Sequence, residues 1–239
     1  MILLRPLFVL HDWASTLLVK HFVLVKRLIL VGAHVTLFGF LLPDIRRNFG
    51  SAAEIMLLAV LFLSPLSMLF RMRLLQQLMG LRRELGILMA YLATVHGVGY
   101  LIDPNRSVSI LELFQTTGLS PESVPYALGI GAYMLTLPLL LTSNAWSQRW
   151  LGGRDWKRLH RLVYIVLPLV LIHHFSIRRG VSMDTFIQAG AYFGVYLLMK
   201  VLAWKNFIAP LRAVMVWVAI GYRDYRSSLS VPPAVPPVI

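Results

Sequence analysis

Cysteine is missing from all 239 residues. Disulfides, thiolate-held iron–sulfur clusters and covalent c-type haem attachment are therefore excluded, and imidazole is left as the natural metal ligand. Charge is scarce as well. Only 14% of the residues are Asp, Glu, Lys or Arg, against about 25% in an ordinary soluble domain. Acidic residues are the scarcer sign, 10 against 23 basic ones, which leaves a formal net charge of +13. No GxGxxG fingerprint occurs, so the sequence offers no strand–turn–helix nucleotide site of that kind. The first 20 residues hold a short apolar stretch broken by His11 and Asp12, with no small-residue cleavage pattern. They do not read as a removable signal peptide.

What the chain has in abundance is apolar sequence: 58% of its residues are hydrophobic, with a mean hydropathy of +0.71. These residues gather into six runs, at about 22–42, 54–70, 85–102, 125–142, 160–177 and 185–203. Each is near the ~20 residues needed to cross ~30 Å of hydrocarbon. The expected fold is an all-α membrane protein, a six-helix bundle embedded in the lipid bilayer. Basic residues cluster at the start of the first run (Lys20, Lys26, Arg27), between the second and third (Arg71, Arg73, Arg82, Arg83), between the fourth and fifth, and after the sixth. The loop 103–124 carries Asp103, Glu112 and Glu122 against Arg106 alone. This alternation predicts both termini in the cytoplasm, and it makes the net charge a matter of loops rather than of nucleic-acid binding. Three parts are expected: an N-terminal cytoplasmic or interfacial segment over 1–21, the six-helix domain over 22–205, and an extension over 206–239. Within that extension, 207–221 reads as an interfacial or partner-contacting helix, and SVPPAVPPVI as an extended tail.

Seven histidines punctuate this chain: His11, His21, His34, His96, His160, His173 and His174. An ionisable group inside a membrane is costly and normally has a partner. His34 sits mid-span on the first run, where an interhelical hydrogen bond is as natural as a cofactor contact. The third and fifth runs are separated by one span and so run parallel. His96 and His173 both lie about 12–13 residues in, or ~18–20 Å at 1.5 Å per residue. Two neutral imidazoles at one depth on parallel helices are what bis-histidine ligation of haem iron requires. Zinc would want further protein ligands. The His173–His174 pair leaves a choice. At ~100° per residue, position 174 lies about 40° from the face of His160 and position 173 about 140°, so regular helix geometry favours His174 if both ligands must share a face.

His160 opens the fifth run near the basic end. A second haem there would want its other ligand 13 or 14 residues before His96, where Arg83 and Arg82 stand. Arginine is not an ordinary haem ligand. A cluster of Arg82, Arg83 and Arg161 would instead suit haem propionates or the phosphate of a flavin such as FMN. A plain cytoplasmic positive cluster fits equally well.

At these residues the chain resembles the ferric-reductase-like transmembrane superfamily, and within it the haem-binding membrane subunits of periplasmic methionine-sulfoxide reductase systems. The likeness is carried by RRELGILMAYLATVHGVGYLID, from Arg82 to Asp103, and by LTSNAWSQRWLGGRDWKRLHRLVYIVLPLVLIHHF, from Leu141 to Phe175. It implies that His96 and His173 ligate a b-type haem and that His160 serves a second haem or its surroundings. One or two haems are thus expected. The resemblance further implies transmembrane electron transfer in a multi-pass protein of the bacterial inner membrane. Electrons would come from quinol or a flavin reductase on the inner side and pass to a periplasmic or membrane redox partner. The divergent start of the second run and the 206–239 extension depart from the family's pattern.

With no nucleophile and no carboxylate pair near the histidines, the chain reads as the electron-transfer subunit of an oxidoreductase system rather than a stand-alone enzyme. The competing reading is an accessory or scaffold subunit of a larger membrane complex, with or without haem. A solute transporter fits less well, because paired broken helices in two corresponding halves are absent from the pattern.

Overall fold

The computed structural model describes residues 5–102 and 123–204. All but the last two residues of the expected 103–124 loop fall outside them, as do the 207–221 segment and the proline-rich tail. Among the described residues there are helices and no strand. We number the α-helices α1 (Arg5–Lys20), α2 (Phe22–Val35), α3 (Arg46–Phe70), α4 (Arg73–Met79), α5 (Arg82–Leu101), α6 (Val124–Leu141), α7 (Ala145–Leu159), α8 (Val163–Arg179) and α9 (Met183–Trp204). A 3₁₀ segment, Thr36–Leu41, prolongs α2, and another, His160–Leu162, joins α7 to α8.

Six of these stretches are long and apolar enough to cross a membrane: Phe22–Leu41, Arg46–Phe70, Arg82–Leu101, Val124–Leu141, Ala145–Ile177 and Met183–Trp204. The protein is a multi-pass membrane protein. Five of the six spans agree closely with the apolar runs, allowing for the polar α7 that leads into the fifth. The second starts earlier than its run, because Arg46, Arg47 and Asn48 form the first turn of a helix despite their polarity.

Spans two to six close into a ring. α3 packs on α5, α5 on α6, α6 on α8, α8 on α9, and α9 returns to α3. α2 lies outside the ring against α5. Lipid tails are as apolar as leucine, so close packing rather than water exclusion holds such helices together. The centre is accordingly built from small residues that let backbones approach (Ala53, Ala132, Ala189) between larger ones that fill the space (Leu57, Leu61, Met89, Leu167, Tyr196). Pro65, Pro138 and Pro168 interrupt α3, α6 and α8; neighbouring helices make such breaks tolerable within a membrane.

Outside the spans, α1 rests on the short α4. Ser15 Oγ donates to Gln77 Oε1 at 3.1 Å, and the Leu74 amide donates to His11 Nε2 at 3.4 Å.

Candidate functional site

α5 and α8 are not neighbours in the ring, yet they carry the two histidines that face one another across it. The His96 and His173 ring centroids are 6.3 Å apart, with the rings at 70° to each other. Each ring is held by a different neighbour in the same way. His96 Nδ1 lies 3.1 Å from the carbonyl oxygen of Arg46 on α3, and His173 Nδ1 lies 2.7 Å from that of Pro125 on α6. A carbonyl can only accept, so Nδ1 carries the proton in both rings. Nε2 is left as the lone-pair nitrogen in both.

A glycine stands four residues beyond each of these carbonyls. A Cβ on Gly50 would fall 2.6 Å from His96 Nδ1, and one on Gly129 would fall 2.8 Å from His173 Nδ1. In an α-helix the carbonyl of residue i points toward residue i+4. Glycine at i+4 therefore leaves room for an imidazole to lie over the turn and reach that carbonyl. Two helix pairs, α3 with α5 and α6 with α8, use this device in parallel.

The pair could hold a metal between its Nε2 atoms. With metal–imidazole bonds of about 2 Å and about 1.1 Å more from nitrogen to ring centre, two rings on opposite sides of one ion stand roughly 6 Å apart, in line with the separation observed. Only two imidazoles converge, and no group of three or more His, Cys, Asp or Glu that could hold a metal ion exists among the described residues. That donor set suits iron whose other positions are filled by a porphyrin better than it suits zinc.

His174 points elsewhere. Its Nδ1 lies 2.6 Å from Glu54 Oε2 on α3. Regular 100° spacing selects His174 only if the ligand shares the face of His160, and that condition is not met: His160 lies against Trp156 and Thr142, while His173 meets His96. Glu54 is a polar group in this region that the apolar pattern hides, because it stands where the second run begins.

The other end is built differently. His160 Nε2 lies 3.3 Å from Thr142 Oγ1, and the Trp156 ring, not a second imidazole, lies against it with centroids 3.9 Å apart. Trp156 in turn donates from Nε1 to the Thr142 carbonyl at 2.9 Å. The arginines have separate surroundings. Arg83 donates to Glu84 Oε1 at 2.9 Å, where Lys26 also reaches to 3.6 Å. Arg82 keeps a buried Nε with no hydrogen-bond partner among the described residues, and Arg161 is exposed.

A six-span helical bundle with a histidine pair across its ring defines a class of membrane protein, and residues 49–171 match the family described as ferric reductase like transmembrane component. The chain belongs to that family. Its curated relatives include the protein-methionine-sulfoxide reductase heme-binding subunits MsrQ of three bacteria. The Rhizobium meliloti protein is 29% identical over 82% of this chain and 83% of its own length. The Yersinia pseudotuberculosis protein is 38% identical over 55% of this chain and 61% of its own. The Agrobacterium fabrum protein is 32% identical over 52% of this chain and 54% of its own. The chain thus spans little more than half the length of two of these relatives. No solved structure matches it.

Proposed function

We propose that this chain is a haem-carrying electron-transfer subunit of the bacterial inner membrane, with its arginine-rich end and both termini in the cytoplasm. The observation that carries the reading is the His96–His173 pair: two part-buried imidazoles 6.3 Å apart, each with Nδ1 committed to a main-chain carbonyl. His96 and His173 would hold one b-type haem, which when bound would supply one-electron chemistry. The protein's own part is to fix both tautomers through the carbonyls of Arg46 and Pro125, which orients the rings and makes Nε2 the better donor. Gly50 and Gly129 give those rings their seats.

The relatives named as heme-binding subunits of a methionine-sulfoxide reductase support an acceptor of that kind on the periplasmic side. The donor is a quinol or a flavin reductase working from the inner side. His160, Arg82, Arg83 and Arg161 mark that side, and the buried Arg82 Nε offers an anionic group, such as a haem propionate or the phosphate of FMN, a hydrogen bond.

The test is a pyridine-haemochrome assay with visible spectra on the purified protein. The parent shows low-spin haem b. His96→Ala and His173→Ala lose more than nine-tenths of it, while His174→Ala keeps it. Normal haem content in His96→Ala overturns the assignment, and a parent protein without haem leaves the scaffold reading in its place.

A further inference from the structure

His34 on α2 and Tyr91 on α5 form a polar pair inside the membrane that haem ligation does not use. His34 Nδ1 lies 2.7 Å from the carbonyl oxygen of Leu30, four residues earlier on its own helix. The carbonyl accepts, so this ring too carries its proton on Nδ1 and presents Nε2 as a lone pair. The Tyr91 hydroxyl lies 3.4 Å from Nε2, a long reach for a hydroxyl donor, whose bonds are commonly about 2.7–3.0 Å. The rings are 5.1 Å apart and tilted at 54°. Nε2 is under-used.

Position makes this unusual. α2 lies outside the helix ring, and His34 is exposed between Val31 and Val35, which are 58% and 55% exposed on the lipid-facing stripe. A buried tie between helices would hide its imidazole in the seam; here the ring faces hydrocarbon, where no water can satisfy it. α2 and α5 run in the same direction. His34, 12 residues after Phe22, is thus ~18 Å into the membrane, and His96, 14 residues after Arg82, is ~21 Å in. Tyr91, against which His34 lies, is nine residues after Arg82, ~13.5 Å in, and five residues short of His96, so the pair stands between the arginine-rich end and the haem-ligating histidines.

A ligand for this place must dissolve in hydrocarbon, donate a hydroxyl to Nε2, accept from the Tyr91 hydroxyl, and lie flat beside two rings. We infer that His34 and Tyr91 form a docking site for the head group of a lipid-soluble quinol, with the reduced form favoured because Nε2 asks for a donor. The inference rests on the electron-carrier reading and narrows its donor from two candidates to one.

The experiment uses the full chain in lipid nanodiscs, with decylubiquinol as ligand and an azido-benzoquinone as photoprobe. Probe attachment is expected on peptides containing residues 28–35 and 87–95, with decylubiquinol protecting better than decylubiquinone. His34→Ala and Tyr91→Phe are expected to weaken decylubiquinol binding at least tenfold while the haem spectrum stays at the parent's. His34→Gln, whose amide oxygen can stand in for the Nε2 lone pair, is expected to recover part of the loss. Unchanged affinity in both variants, attachment confined to the arginine-rich end, or equal protection by oleyl alcohol would overturn the site. His96→Ala separates the two readings: lacking haem, it should still take the probe at these peptides.

Discussion

The two ends of the helix ring put the same side chain to opposite uses. Away from the arginines, His96 and His173 each give Nδ1–H to a carbonyl on a neighbouring helix and keep Nε2 unspent. At the arginine-rich end, His160 engages Nε2 with the Thr142 hydroxyl and lies against Trp156. What makes an imidazole available for ligation here is the neighbour that takes its other nitrogen. That neighbour is a main-chain carbonyl laid open by a glycine one turn on, a feature of the receiving helix and not of the histidine.

The sharpest way to break this comparison is to fill the seats. Gly50→Leu and Gly129→Leu drive side-chain atoms into the space occupied by the His96 and His173 rings, and each variant is expected to lose most of its haem, measured by haemochrome against total protein. Alanine at the same positions adds only the Cβ. Because that atom still falls within 2.6–2.8 Å of Nδ1, haem content should drop to about half or below, with a displaced Soret band. Full retention in both leucine variants would show that the rings are held in some other way.

A smaller effect tests the opposite end. His160→Ala is expected to keep haem at one per chain, since it is a tryptophan ring and not a second imidazole that faces His160. A parent with two haems per chain that falls to one in this variant would make the ends alike and dissolve the contrast.

The depth of the histidine pair was legible because rise along a helix is nearly constant: counting residues from the basic boundary brings His96 and His173 to one level. Rotation was not legible. The 100° rule picks His174 by assuming that the ligand shares the face of His160, whereas His160 is engaged by Thr142 and Trp156 and the fold presents His173 to His96. The six spans were readable from apolar runs, apart from the start of α3, where arginines and an asparagine form a helical turn that hydropathy counts as loop. That early start conceals both Gly50, which becomes a helical seat instead of a turn residue, and Glu54, which moves from a boundary to the inside of a span. The pair that seats the histidines, Gly50 and Gly129, becomes visible only when two helices are brought against two others.

The smallest expected effect belongs to the Glu54–His174 contact beside His173. Glu54 and His174 meet at 2.6 Å with side chains 14% and 49% exposed, so the bond ties α8 to α3 at the surface of the ring instead of within it. Interhelical polar contacts in membranes are worth on average ~0.6 kcal/mol, because the separated helices find other partners. Glu54→Gln keeps a hydrogen-bonding oxygen and removes the charge; His174→Ala removes the contact altogether. Both variants should therefore keep a full complement of haem, with thermal unfolding in detergent lowered by only a degree or two, more for His174→Ala than for Glu54→Gln. If Glu54→Gln instead loses haem as His96→Ala does, the Glu54–His174 contact is what turns His173 toward its partner, and the seat on Gly129 does not suffice by itself.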